Sequence, residues 1–112
     1  SMSSVKVPLL ELKNAASVSK MRRSLKGHKG YIAQKTTIDF HPNFLVIDGP
    51  FKSEVIDVKC GFRDRISVNG RQLSVTLDDL PETEFVELVV DRKANKLTLI
   101  AEGLKVTMLG AS

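Results

Sequence analysis

The chain is poor in the groups from which most sites are built. Its 112 residues include one cysteine and two histidines, and no apolar run approaches the ~20 residues of a membrane-spanning helix. Cys60 can form no internal disulfide. With no signal peptide in view either, the sequence reads as a reduced, soluble, cytoplasmic protein with no membrane partner. His28 and His41 stand far apart without cysteines or carboxylates at metal-ligand spacing, so no metal is expected. Gly27 and Gly30 lack the longer pattern ending in Lys-Ser or Lys-Thr that cradles phosphate. Asp78 and Asp79 are neighbours on a helix and point in different directions, which makes them a poor catalytic pair and, like Asp64, surface residues. No Ser-His-Asp or Cys-His arrangement can be assembled. The sequence therefore predicts no enzyme and no cofactor.

What the chain has is an uneven charge. Residues 1–36 carry eight Lys/Arg against one acid, Glu11, a net +7; the whole chain is only +4, so the remainder is acidic at −3. Such asymmetry points to a polyanionic partner and says little about fold.

The stretch from Ile66 to Met108 is the most legible. Asn69 can cap a helix, and Leu73, Leu77 and Leu80 at i, i+4 and i+7 place three leucines on one face before Pro81 stops it. Val86, Leu88 and Val90, then Leu97, Leu99 and Ala101, then Leu104, Val106 and Met108 alternate with other residues as three strands of a meander. Arg92 to Asn95 and Gly103 supply the turns.

The first half is expected to repeat this plan. A strand from Val5 to Leu12 leads into a helix capped by Asn14, with Val18, Met21 and Leu25 on its buried face. Arg22, Arg23 and Lys26 then face solvent, with Lys20 on the flank, before Gly27, His28, Lys29 and Gly30 form a basic loop. Lys35 to Phe40 and Phe44 to Asp48 form a hairpin around His41, Pro42 and Asn43, where His41 reads as a turn residue. A third strand is expected from about Glu54 to Phe62, with Cys60 as a small buried hydrophobe among Ile56, Val58 and Phe62. Tyr31 and Phe44 read as core or rim aromatics in preference to base-stacking ones. The two expected caps, Asn14 and Asn69, stand about half the chain apart, which suggests a repeat of topology with little residue identity.

The expected fold class is α+β: one domain over residues 1–112, made of two βαβββ halves (about 5–62 and 63–109) related by a pseudo-twofold axis. Its two adjacent helices pack on antiparallel sheets. This plan resembles one domain of the DNA sliding clamp, the bacterial β-clamp or polymerase processivity factor. The resemblance is carried by Ile66-Ser67-Val68-Asn69-Gly70-Arg71-Gln72-Leu73, by Leu77-Asp78-Asp79-Leu80-Pro81, and by the strands Val86 to Val90 and Lys96 to Ile100. The first half agrees in element order. The resemblance implies a non-catalytic, ring-forming clamp domain whose helices face duplex DNA and whose outer strands join neighbouring copies.

On that reading Lys20, Arg22, Arg23, Lys26, His28 and Lys29 contact phosphate without regard to sequence. The second helix fits less well, because Arg71 is offset by Asp78 and Asp79 and Val75 is exposed. The chain also supplies one domain where clamp rings use six. The alternative reading is a protein-interaction or assembly module that keeps the architecture without encircling DNA, associating through edge strands or with a protein partner.

Overall fold

The computed structural model describes residues 2–17, 35–50 and 52–111. Among these residues eight strands and two helices follow in the order β1 (Met2–Pro8), α1 (Leu9–Ala16), β2 (Lys35–His41), β3 (Phe44–Asp48), β4 (Ser53–Ile56), β5 (Asp64–Asn69), α2 (Gly70–Asp79), β6 (Phe85–Asp91), β7 (Lys96–Ala101) and β8 (Leu104–Leu109). Two four-stranded antiparallel sheets result, in the orders β1-β6-β7-β8 and β4-β3-β2-β5. Each sheet takes three consecutive strands from one half of the chain and its fourth from the start of the other half. Neither half can complete a sheet alone.

The exchange follows a pseudo-twofold plan in detail. Pro8, the residue before α1, pairs with Phe85 at the start of β6; Asn69, the residue before α2, pairs with Lys35 at the start of β2. Buried residues correspond as well: Val5 and Val7 with Ile66 and Val68, Leu12 with Leu73, and Ala16 with Leu77. The helices pack against each other, and their apolar faces complete one core with the inner faces of both sheets.

The second helix forms as its local chemistry requires. Asn69 Oδ1 accepts the Gln72 backbone N–H at 2.9 Å, satisfying one of the four donors left open at a helix start. Leu73, Leu77 and Leu80 are buried while Val75 is exposed. Positive φ at Glu102 and Gly103 closes a two-residue turn between β7 and β8, and positive φ at Asn95 helps turn β6 into β7.

Three expectations for the strands and the first helix are corrected. The first strand ends at Pro8 instead of reaching Leu12, and α1 begins at Leu9 instead of after Asn14. Proline's fixed φ, here −56°, suits the entry to a helix, and the Leu9 N–H is taken by the Glu84 carbonyl at 3.0 Å. Leu9, Leu12, Ala15 and Ala16 form the buried stripe, while Leu10 is 71% exposed. Asn14 lies in the last turn, where its carbonyl accepts the Ser17 hydroxyl; Val18, Met21 and Leu25 lie outside the described residues.

The expected long third strand is also shorter, since β4 covers only Ser53–Ile56 and pairs with β3. Val58, Cys60 and Phe62 still turn against the core, Phe62 with its ring 5.2 Å from that of Phe40. They do so as irregular chain, because Gly61 has φ +75° and gives its N–H to the Pro42 carbonyl instead of a strand partner. Finally, Asp64 is not a free surface residue. Its side chain is only 9% exposed and is held by Arg92.

Candidate assembly and nucleic-acid surfaces

The helix layer is the surface on which DNA contact was expected. Its described part does not carry the positive charge: α1 exposes Leu10, Glu11 and Asn14, while α2 exposes Arg71, Gln72, Val75, Asp78 and Asp79. Glu82 and Glu84 extend the acidic character into the connection to β6. Lys20, Arg22, Arg23, Lys26, His28 and Lys29, together with Tyr31, lie outside the described residues. The two termini of this layer differ in chemistry, because α1 leads into the basic stretch and α2 into the acidic one.

The second candidate surface is formed by two of the four edge strands, β4 and β8. β4 presents Val55 at 60% exposure, and β8 presents Leu104 at 46% and Leu109 at 69%. Among the described residues, no backbone hydrogen bond outside the ladders reaches either strand. Among the described residues each therefore has an outer row of backbone groups without a partner beside exposed apolar side chains, which is the chemistry of strand addition. The β4 side carries no net charge, since Glu54 and Asp57 are flanked by Lys52 and Lys59, with Lys52 4.0 Å from Glu54.

Other side chains read as structural. Cys60 is half-buried with its Sγ 3.7 Å from the carbonyls of Phe44 and Val58. Burial pushes its thiol up from the ordinary value against a smaller lowering by the His41 backbone, so it is a poor nucleophile. His41 ends β2 and stacks on half-buried Phe44, ring centroids 4.4 Å apart, while Arg63 Nη1 approaches its Nδ1 at 3.4 Å. This matches the turn and rim roles expected of the pair. No group of three or more His, Cys, Asp or Glu side chains able to hold a metal occurs among the described residues, and no described helix is long and apolar enough to cross a membrane.

Solved structures match this arrangement across nearly the whole chain. The β subunit of DNA polymerase III from Thermotoga maritima superposes with a TM-score of 0.75, covering 100% of this chain and 30% of that one at 17% identity. The fold is that of one DNA sliding-clamp domain. The β subunit from Streptococcus pyogenes gives a TM-score of 0.77 over 97% of this chain at 12% identity, and the Caulobacter crescentus β sliding clamp gives 0.75 over 98% at 13%. This chain thus spans about 30% of the length of each clamp it matches. No family profile matches the sequence, and no curated protein matches it.

The clamp fold gives the exchange of first strands and the adjacency of the helices a single architectural origin. Sequence reasoning missed two features of its surfaces. One is the Asp64–Arg92 pair, whose partners are distant in sequence and have no local signature. The other is the contact of Gly110 and Ala111 with the β6–β7 turn and β5. Gly110 could have been noticed as a glycine directly after the last strand, but its partner could not.

Proposed function

We propose that this protein is a non-catalytic, sliding-clamp-like factor that associates with duplex DNA as a homo-oligomer. The observation that carries the reading is the clamp-domain fold spanning the whole chain, joined to a first third with net charge +7. Lys20, Arg22, Arg23, Lys26, His28 and Lys29 supply sequence-independent phosphate contacts, and copies join through the β4 and β8 edges. A single clamp-like domain does not enclose a duplex by itself, so several such domains come together around it. With about three to five phosphates engaged per copy, binding falls steeply with salt, each contact contributing about −0.9 to the log-log slope.

Retention on linear and circular duplexes at several salt concentrations tests the proposal. A closed ring stays on circles and slides from free ends, whereas a simple basic patch treats both alike. No binding to either form at low salt removes the DNA reading. A second reading, an assembly module that does not encircle DNA, is favoured by the acidic and apolar face of α2, where Val75, Asp78 and Asp79 are exposed. Self-association insensitive to salt, without DNA affinity, would support it.

A further inference from the structure

Four strands end the sheets, β1, β4, β5 and β8, and among the described residues only β5 takes a backbone hydrogen bond from outside its ladder. In an antiparallel strand the N–H and C=O of one residue point to the same side, so alternate residues face the ladder and the open edge. The Ser67 carbonyl accepts the Ala111 N–H at 2.7 Å, which places Ser67 and, two residues earlier, Arg65 on the side away from β2. The Arg65 N–H is also occupied, donating to Asp64 Oδ1 at 2.8 Å. That same oxygen is held by Arg92, reaching across from the β6–β7 turn with Nε and Nη2 both at 3.1 Å. Gly110 N–H donates to the Asn95 carbonyl of the same turn at 2.7 Å, fixing the approach of Ala111.

We infer that Asp64, Arg92, Gly110 and Ala111 form a clasp that closes the β5 edge against a second copy of this chain. The occupant it excludes is another copy because every copy carries β4 and β8 edges that take no backbone hydrogen bond from the other described residues outside their ladders, with Val55, Leu104 and Leu109 exposed. Without the clasp, β5 would be one more open edge for those strands to pair with, adding a further way in which copies can join. The clasp does not depend on DNA binding. It takes from the proposed function only the capacity of the edges to associate.

The test compares the full chain with an Asp64→Ala, Ala111→Pro variant, which removes the carboxylate from the Arg65 N–H and the donor from the Ser67 carbonyl. Mass in solution is read by light scattering across protein concentration, with circular dichroism to establish that the variant is folded. The expected result is a rise in mean mass of about twofold or more, little affected by salt because backbone pairing drives it. Adding Ser67→Pro, which removes an outward N–H and is tolerated on an open edge, should return the mass to that of the unaltered chain. A folded clasp variant with unchanged mass overturns the proposal, and so does a rise that survives Ser67→Pro. Should the variant not fold, hydrogen exchange on the unaltered chain decides: protected Gly110, Ala111 and Arg65 amides support the clasp, and exchange at unprotected rates overturns it. If the unaltered chain is monomeric, the assembly reading fails, yet the clasp variant still must associate for this one to stand.

Discussion

Single side chains set the local limits of this fold, and Asn69 is the clearest case. Its carboxamide accepts the Gln72 N–H at the start of α2. Asn69→Ala should therefore lower stability by about 1 kcal/mol, measured by urea denaturation, with Asn69→Asp retaining most of it. Cys60 supports a second expectation. Burial raises its thiol above the usual value, so less thiolate is present at neutral pH than in an unfolded chain. Alkylation by iodoacetamide should be slower in the native protein than in denaturant at the same pH. For an acid whose folded value is raised, the neutral thiol is the form the fold favours; this contribution is present below the unfolded value and lost as pH rises through the folded one. Rates equal in both states would mean that the thiol is as free as in the unfolded chain. Asn69 was legible because a cap and its acceptor are three residues apart. Asp64 was not, because Arg92 reaches it only after the two sheets are brought together.

The helices show where periodicity informs and where it misleads. In α2 one leucine stripe meets a clear cap and a proline stop, and the sequence reading survives intact. In α1 Leu9 lies in the buried stripe and adjacent Leu10 lies outside it, which makes a start at Leu9 look inconsistent with an amphipathic helix when read from sequence. The deciding factor is Pro8, which ends β1 and, as the residue before α1, leads the chain into the helix with its fixed φ. Substitution separates the two registers directly. Leu12→Ala should cost about 2–5 kcal/mol, because Leu12 is fully buried where α1 enters the core. Leu10→Ala, at a largely exposed position, should change stability by no more than about 0.5 kcal/mol. Equal losses would restore the alternative register. The β strands were legible wherever one face is buried, as in β6 and β7. They were least legible at β4, where Gly61 and the irregular chain keep an alternating pattern pointed at the core without a ladder.

At the scale of the molecule, the repeat of strand, helix and three strands could be read from element order, but the exchange of β1 and β5 between sheets could not. Alternation names the faces of a strand and not its neighbours. The exchange matters for assembly, because it leaves β4 at the end of one sheet and β8 at the end of the other. A head-to-tail contact would then join unlike sheets of successive copies and can propagate toward closure. Thr107 offers a way to separate topological holding from electrostatic attraction. Counting from the two-residue turn that pairs Ala101 with Leu104, Thr107 presents its backbone N–H away from β7. Thr107→Pro should spare the β7–β8 ladder and block addition of a strand outside β8. Retention on circular duplex should fall to the level seen on linear duplex, while low-salt binding per copy stays unchanged. Arg22→Glu with Arg23→Glu should do the reverse, weakening binding to both forms and flattening the salt slope by about 2. If Thr107→Pro leaves circular retention intact, the β8 edge does not close the ring; if the charge reversals leave the slope intact, the basic stretch does not touch phosphate.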